Sequence, residues 1–285
     1  MITLENVTFR YKGQLAPAID GISLSIGAGE FVGIVGPGSA GKSTFAYLLN
    51  GVAPHHYEGD FYGRVVVDGM DTAAVSLTDI SRVVGSVFED IDGQMVSSTV
   101  EDEMLFGLIN FGYGQEEIEA RMGRALTNVG IMDLRQRDID SLSGGQKQKV
   151  VIAAMLAMSP KVLVLDEPTG ELDPASADKV YALLREINKT TGATIIVVEK
   201  KAELLCAYAD RVVALHEGKI AMDGPIRRIM GDVEALAKIG LEATAVSVLY
   251  NELKGLGLYD GDAPLTVDDA ERMVREALGH VEASA

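Results

Sequence analysis

The stretch "EFVGIVGPGSAGKSTFAYLLN", residues 30 to 50, decides the fold. It begins with an apolar run that ends in glycine, which is typical of a buried strand, and it ends in a helical pattern. Between the two stands G-x-x-x-x-G-K-[ST], the spacing of a loop whose backbone N–H groups surround a nucleotide β-phosphate. A glycine turn that only joins a strand to a helix is the alternative, and the full spacing in this context argues against it.

The side chains of this loop have separate predicted roles. Lys42 can reach the β- and γ-phosphates of a nucleotide, and Ser43 can ligate Mg²⁺. The predicted nucleotide-binding residues of the loop are Gly36, Pro37, Gly38, Ser39, Ala40, Gly41, Lys42, Ser43 and Thr44.

Two carboxylates end the apolar strand pattern "VLVLDE", residues 162 to 167. Asp166 can hold Mg²⁺ through water, and Glu167 can polarise a water molecule that attacks the γ-phosphate. An acidic pair at a strand end can also be an ordinary solvated cap. Because the chain also contains a phosphate loop, the magnesium site is the favoured interpretation.

A second glycine turn, "SLSGGQKQK" at residues 141 to 149, lies far along the chain from the first. Ser143 and the amides of Gly144 and Gly145 can form an anion site at the start of a helix, next to Gln146. One nucleotide needs one phosphate loop, so the second turn can face the nucleotide of another copy. A simple helix cap is the alternative, and the local pattern does not decide between the two.

The composition excludes several classes of protein. The chain has 42 Asp and Glu against 25 Lys and Arg, and the net charge of -17 argues against wide contact with nucleic acid or anionic lipid. The single cysteine excludes an internal disulfide and fits a reducing cytosol. Because we find neither a signal pattern nor an apolar run near the roughly 18 residues that span a bilayer, we expect a cytosolic protein, or one peripheral on the cytosolic face of a membrane.

The order of the patterns predicts an α/β fold of the P-loop NTPase type. Residues 2–10 and 22–26 alternate like half-buried strands, which predicts an antiparallel β subdomain. A mostly helical stretch between core strands predicts an inserted helical subdomain at about 90–158. We therefore expect a nucleotide-binding domain over residues 1–223 and a small C-terminal helical domain over 224–285. Two apolar helix faces are predicted in that domain, one formed by Val246, Leu249, Tyr250 and Leu253 and the other by Ala270, Met273, Val274, Ala277 and Leu278.

The order "GPGSAGKST", "LSGGQKQK" and "VLVLDEPTGELDP" resembles the ATP-binding-cassette ATPases over about residues 1–223. In that family these are the Walker A, signature and Walker B motifs, and Glu171–Asp173 matches the D-loop. The family binds ATP and Mg²⁺, and two cassettes dimerise head to tail around the ATP. The resemblance implies that Ser143 and Gly145 contact the γ-phosphate of a partner ATPase and that Tyr11 stacks on adenine. An ordinary aromatic at a strand end is the alternative for Tyr11.

Three further segments, "LNGVAPHHYEGDFYGRVVVDGMDT", "STVEDEMLFGL" and "LTVDDAERMVREAL", are similar to the ATPases of energy-coupling factor (ECF) transporters and cobalt/nickel importers. This resemblance implies a transmembrane coupling subunit that docks near Glu89–Thr99 and a separate substrate-binding membrane subunit. The cargo would be a vitamin or a transition-metal ion. It also implies that residues 224–285 help two ATPases associate at the cytoplasmic face of the cell membrane, with no nucleic-acid partner.

Two positions depart from the family pattern. Glu89 stands where the Q-loop has glutamine, with Gln94 matching a second glutamine of the ECF type, and Lys200 stands where the switch histidine is expected. A carboxylate can still ligate Mg²⁺, but it repels a γ-phosphate. A lysine donates as a point charge and cannot act as neutral imidazole does. The candidate catalytic residues are therefore Glu167, Lys42, Lys200 and Glu89, and the candidate magnesium ligands are Ser43, Asp166 and Glu89.

These departures leave several functions open. The chain can be the catalytically weaker half of a heterodimer, or Lys200 and Glu89 can compensate for each other as an exchanged charge pair. A nucleotide-sensing subunit that does not hydrolyse ATP is a third possibility. A soluble cassette protein that acts on nucleic acid is the alternative from another class, and the acidic composition argues against it.

Overall fold

The computed structural model describes residues 1–170, 172–200 and 202–284, with side chains up to residue 279. A four-stranded antiparallel sheet is formed by β1 (Ile2–Tyr11), β2 (Ile19–Ile26), β4 (Gly59–Val67) and β5 (Met70–Asp71). The strands lie in the order β2-β1-β4-β5, so the alternating N-terminal patterns form the predicted β subdomain.

A six-stranded sheet forms the centre of the molecule. Its strands are β3 (Phe31–Val35), β6 (Val84–Val87), β7 (Val162–Asp166), β8 (Thr194–Val198), β9 (Arg211–His216) and β10 (Lys219–Pro225). They lie in the order β10-β9-β3-β8-β7-β6, and only β10 runs antiparallel to its neighbour. Every residue of β3, β7 and β8 is buried, as continuous apolar runs predict for a sheet covered on both faces.

The helices cover both faces of this sheet. Those of the first half are α1 (Lys42–Leu49), α2 (Val52–His55), α3 (Leu77–Ser81), α4 (Ile91–Gln94), α5 (Val100–Asn110), α6 (Gln115–Asn128) and α7 (Gly144–Ala157). Those of the second half are α8 (Pro174–Thr191), α9 (Glu203–Tyr208), α10 (Ile226–Met230), α11 (Val233–Lys238), α12 (Ala245–Gly255) and α13 (Val267–Ser284). None of the described helices is long and apolar enough to cross a membrane.

Alternate residues of β3 point into two separate cores. Val32 and Ile34 pack with α1 and the antiparallel sheet, and Phe45 lies at the centre of that contact. Phe31 and Val35 belong to the other core, which extends into α5, α6 and α7. The inserted helices and the sheet therefore share one continuous hydrophobic core, and the predicted fold class is confirmed.

The helical insertion contains less helix than its pattern predicts. Between α6 and α7 the chain forms only two short 3-10 turns, Met132–Leu134 and Ile139–Ser141. An ion-pair cluster holds this segment, since Arg135 contacts both Glu101 on α5 and Glu119 on α6. The segment leads directly to the second glycine turn, so the cluster fixes where α7 begins.

The C-terminal segment divides into two parts. Ile226 and Leu236, on α10 and α11, pack into the main core, whereas Tyr250 and Met273, on α12 and α13, form a small core of their own. Because of this packing, we propose that the C-terminal unit begins after α11, later than residue 224.

The single cysteine provides a probe of folding. Cys206 is buried on α9, and burial raises the pKa of its thiol to about 12. Since the thiolate is the reactive form, the folded chain protects Cys206 from alkylation, and loss of that protection reports unfolding of a variant.

Candidate functional site

Three neighbouring strands bring the predicted catalytic residues to one edge of the central sheet. β3 and β7 are both paired in parallel with β8, and Val198 at the end of β8 lies opposite Ile34 on one side and Asp166 on the other. The loop after β3, the acidic pair after β7 and the segment after β8 therefore lie together. Ligands of α/β sheets bind at this carboxyl edge.

The loop between β3 and α1 has the shape that its glycines predict. A Cβ at Gly36 would lie 2.5 Å from the carbonyl oxygen of Leu215, so this position requires glycine. Gly41, directly before α1, has a φ of 99°, in the left-handed region. Lys42 folds back and donates hydrogen bonds to the carbonyl oxygens of Gly36 (2.8 Å) and Pro37 (3.0 Å). The loop and the lysine thus form one compact unit.

The tip of the loop is open and its base is anchored. A Cβ added at Gly38 would meet no described atom within 4 Å, and Ser39 has a φ of 60°. Ala40 donates to the carbonyl oxygen of Pro37 (3.2 Å) and accepts from the N–H of Gly218 (3.2 Å). A phosphate can therefore approach the tip closely while the base stays fixed.

The ammonium group of Lys42 lies among carboxylates. Lys42 is only 6% exposed. Burial lowers its pKa and Lys200 adds to that effect, while Glu167, Asp166 and Glu89 act in the opposite direction. A bound triphosphate would add negative charge beside the same ammonium, so this lysine is suited to hold phosphates.

Asp166 and Ser43 fit a magnesium ion. Asp166 is 3% exposed, and its Oδ1 has no hydrogen-bond partner among the described residues. Burial raises the pKa of this carboxyl, and a hydrogen bond from Ser43 opposes the shift. A buried oxygen without a partner is costly, and Mg²⁺ prefers oxygen ligands. Mg²⁺ usually keeps several waters and substrate phosphates as ligands, so a site with few protein ligands suits it.

Glu167 has an unusual backbone conformation for a residue with a side chain. Its φ is 48°, in the left-handed region, which costs about 1–2 kcal/mol per residue. Its N–H donates to the carbonyl oxygen of Val198 (3.0 Å), so the end of β8 holds this conformation. Strain of this kind is concentrated at functional sites, which supports Glu167 as a candidate catalytic residue.

Lys200 connects the two acidic candidates. Its Nζ lies 2.6 Å from Oε2 of Glu167 and 3.6 Å from Oε1 of Glu89. The hydrogen bond with Glu167 is the main cause that raises the pKa of Lys200. The expected pairing with Glu89 is present, but the closer contact with Glu167 was not foreseen. An ammonium at this distance competes with water for the same carboxylate oxygen.

The loop that carries Glu89 is braced by Gln94. The Gln94 side chain donates to the carbonyl oxygen of Ser86 (2.8 Å) and accepts from the N–H of Phe88 (3.0 Å). Gln94 is therefore engaged within the loop, whereas the side chain of Glu89 is largely exposed and can turn toward a ligand.

Tyr11 lies beside the phosphate loop. Its hydroxyl forms a hydrogen bond with Oγ1 of Thr44 (2.9 Å), at the end of that loop. Its ring meets Phe9 and Tyr57 edge-on, with centroids 4.9 and 5.9 Å apart. These contacts place an aromatic ring near the nucleotide site, and adenine stacking stays a prediction.

The second glycine turn caps its own helix and is also exposed. Ser143 accepts from the N–H of Gln146 (3.4 Å), and the Gln146 side chain accepts from the N–H of Ser143 (2.9 Å), which is a capping box. Gly144 is exposed in this turn. Ser143, Gly145 and Gln146 line a cavity of about 230 Å³ to which residues 36–44 do not contribute. Gly144 lines a neighbouring cavity together with Glu167 and Lys200, so the second turn also adjoins the candidate catalytic carboxylates of its own chain.

Sequence patterns missed two features of the site. Lys147 on α7 pairs with Asp92 on α4 at 2.6 Å, which ties the signature helix to the loop of Glu89. Glu199 is a buried carboxylate directly after β8. The sequence signal that could have identified it is a carboxylate directly after a buried apolar run. Of the predicted D-loop, Asp173 caps α8, and Glu171 lies outside the described residues.

Comparisons with known proteins agree with this geometry. Residues 19–170 match the family described as "ABC transporter". An ABC transporter ATP-binding protein of Pyrococcus horikoshii is 41% identical over 97% of both chains. The energy-coupling factor transporter ATP-binding protein EcfA2 of Clostridium perfringens is 37% identical over 97% of this chain and 98% of its own.

Solved structures show the same likeness. The structure of cbiO1 from Clostridium perfringens, part of the cbiONQ transporter complex, has a TM-score of 0.74 and 31% identity over 88% of this chain and 98% of its own. The cassette MJ0796, solved as a dimer with ADP and phosphate, has a TM-score of 0.69 and 28% identity over 80% of this chain and 99% of its own. The chain therefore belongs to the ABC transporter family, whose ATP-binding subunits hydrolyse ATP.

Proposed function

We propose that this chain is a motor subunit of an ECF-type importer. The likeness to EcfA2 and to cbiO1 supports this assignment. The observation that carries it is the exposure of the signature turn, in which Ser143 and Gly144 are exposed and residues 36–44 do not line the cavity beside Ser143. That turn can complete the nucleotide site of a second ATPase. ATP then draws two cassettes together, and hydrolysis with product release separates them.

Each residue of the site has a proposed role in this cycle. Lys42 and the loop amides hold the phosphates, and Tyr11 stacks on adenine. Ser43 and Asp166 would hold Mg²⁺, which when bound neutralises charge that develops on the β- and γ-phosphates. Glu167 orients the attacking water, and Glu89 is a further candidate ligand.

An apolar surface on the helical insertion supports a membrane partner. Three apolar side chains of the insertion are more than half exposed: Val96, within the segment Glu89–Thr99, and Phe106 and Ile109, on the following helix α5. Exposed apolar patches of this kind mark sites of protein contact. We expect the coupling helix of a transmembrane subunit here, with the chain peripheral on the cytoplasmic face of the cell membrane. A separate membrane subunit would capture the cargo, a vitamin or a transition-metal ion.

The proposed second ATPase is either a copy of this chain or a homologous chain. The C-terminal unit supports their association through exposed apolar side chains on and beside α12 and α13. These are Val248, Leu249, Leu256 and Leu278. The predicted helix faces placed Leu249 and Leu278 on the buried side, and their exposure suits contact with another chain.

The assignment can be tested by purifying the tagged chain from detergent-solubilised membranes and identifying every co-purifying protein. We expect a multi-span membrane protein and an ABC ATPase, and we expect faster phosphate release from that complex than from the chain alone. Recovery of nucleic acid in place of a membrane protein would contradict the proposal.

Replacing Lys200 with histidine is expected to raise hydrolysis at this chain's own site about 100-fold, the low end of the typical contribution of one acid–base group. The lysine ammonium now contacts the Glu167 carboxylate at 2.6 Å, and a neutral imidazole would leave that carboxylate free for water. The measurement is the rate of phosphate release at saturating ATP. Lys254→His, on the distant helix α12, is the control and should leave the rate unchanged.

A nucleotide-sensing subunit is the second candidate, and the contact between Lys200 and Glu167 is the observation that favours it. The same experiment separates the two functions. If neither the wild-type chain nor Lys200→His releases phosphate, alone or in the complex, the sensor is correct.

A further inference from the structure

Glu199 is a buried carboxylate that none of the sequence motifs includes. It follows β8 directly and is 6% exposed. Its N–H donates to the carbonyl oxygen of Ile34 on β3 (3.0 Å). The residue therefore lies at the carboxyl edge of the sheet, between the strand that leads to the phosphate loop and the strand that Glu167 directly follows.

Two hydroxyl groups from different elements share one oxygen of this carboxylate. Oε1 of Glu199 accepts hydrogen bonds from Thr169 Oγ1 (3.0 Å) and from the Tyr181 hydroxyl (2.8 Å). Tyr181 is fully buried on α8, where its ring stacks on Phe31. The tyrosine contact therefore anchors the carboxylate to the rigid core, and the threonine contact extends from it toward the site.

Thr169 belongs to the turn that begins at Glu167. The N–H of Gly170 donates to the carbonyl oxygen of Glu167 (3.2 Å). The N–H of Leu172 donates to the carbonyl oxygen of Thr169 (3.1 Å). Thr169 itself is buried. Its bond to Glu199 therefore fixes the turn on which the left-handed conformation of Glu167 depends.

We propose that Glu199, acting through Thr169, is the positioning residue of Glu167, an inference that rests on the proposed role of Glu167 in hydrolysis. Consecutive residues then act on Glu167 in two different ways. Glu199 holds its backbone through the turn, whereas Lys200 occupies its carboxylate through the contact at 2.6 Å and is not part of this positioning. A stable network of this kind keeps a catalytic group in its productive geometry without contacting the substrate.

The test compares two variants, each of which loses one of the two hydroxyl groups that donate to Oε1 of Glu199. Thr169→Val removes the bond to the turn and keeps the branched shape, whereas Tyr181→Phe removes only the bond to the core. In the purified full-length chain and its membrane complex, Thr169→Val is expected to lower kcat for ATP about tenfold and to leave KM within about twofold. Tyr181→Phe should keep kcat within about twofold of the wild-type value. Thr169→Ser, which keeps a hydroxyl group at position 169, should restore the kcat that Thr169→Val loses.

Hydrogen exchange gives a second readout that does not depend on hydrolysis. Thr169→Val should accelerate exchange at the amides of Gly170 and Leu172, and Tyr181→Phe should not. Protection of Cys206 from alkylation verifies that each variant is folded. Equal losses of kcat in both variants, or failure of Thr169→Ser to restore it, would overturn the positioning role.

The two proposals fail in distinguishable ways. If the wild-type complex releases no phosphate, the proposed motor function is wrong, and the exchange rates alone decide whether Glu199 and Thr169 hold the turn. Unchanged exchange in Thr169→Val overturns the inference whether or not ATP is hydrolysed.

Discussion

Replacing Lys42 with alanine is expected to weaken ATP binding by at least about 100-fold, which corresponds to about 2.7 kcal/mol. The ammonium is nearly buried and lies where the loop encloses it, so its attraction to phosphate is screened less than that of a surface lysine. Its loss also removes one of the cations that oppose the charge of Glu167, Asp166 and Glu89. Titration of the variant with a fluorescent ATP analogue measures the change.

Lys189→Ala is the matched control, because Lys189 is an exposed lysine near the end of α8 and away from the loop. It should leave the dissociation constant within about twofold of the wild-type value. Intact protection of Cys206 in Lys42→Ala separates lost binding from lost folding. Unchanged ATP affinity in a folded Lys42→Ala variant would mean that the loop is not the phosphate site.

The part of the site that lies within one continuous segment could be predicted from sequence. The loop glycines, Lys42 and Ser43 lie at fixed spacing, and the left-handed backbone of Gly41 is a local requirement, whereas the requirement for glycine at position 36 comes from Leu215 on β9. The capping box of Ser143 with Gln146 is likewise local. Residue types at fixed spacing decide such geometry, so their positions did not depend on how the sheet is assembled.

Contacts between segments could not be predicted in the same way. Lys200 reaches Glu167 because β8 lies beside β7 with Val198 opposite Asp166, and that register depends on the whole sheet. The sequence showed only that a lysine replaces a histidine. The bonds from Glu199 to Thr169 and Tyr181 join three segments that packing alone brings together.

Helix faces were predicted less well in the C-terminal segment. Periodicity placed Leu249 with Tyr250 and Leu278 with Met273 on apolar faces, but only Tyr250 and Met273 are buried. An amphipathic pattern shows which face of a helix is apolar. It does not show whether the residues that pack against this face belong to the same chain or to another one. This ambiguity is why the C-terminal unit needs a test with the assembled complex.

Replacing Gly145 with aspartate is expected to lower hydrolysis in the assembled complex about 100-fold while ATP binding to the isolated chain is unchanged. The signature turn is proposed to face the γ-phosphate of the second ATPase, and a carboxylate there would repel it. The substitution is tolerated locally, since a Cβ at Gly145 meets Leu172 at 3.5 Å, an ordinary contact. Steady-state phosphate release and equilibrium ATP binding are measured on the same preparation.

Gly114→Asp is the control, because it adds the same charge at the start of α6 in the same subdomain. No described atom lies within 4 Å of a Cβ there, and aspartate is a favourable helix cap. If both aspartates slow hydrolysis equally, the added negative charge acts regardless of its position in the subdomain, and the signature turn does not reach a partner's nucleotide.

Combining Gly145→Asp with Glu167→Gln then separates the two sites of a heterodimer. Glu167→Gln alone should spare the partner's site, and complete loss of hydrolysis from that single change would exclude the asymmetric arrangement.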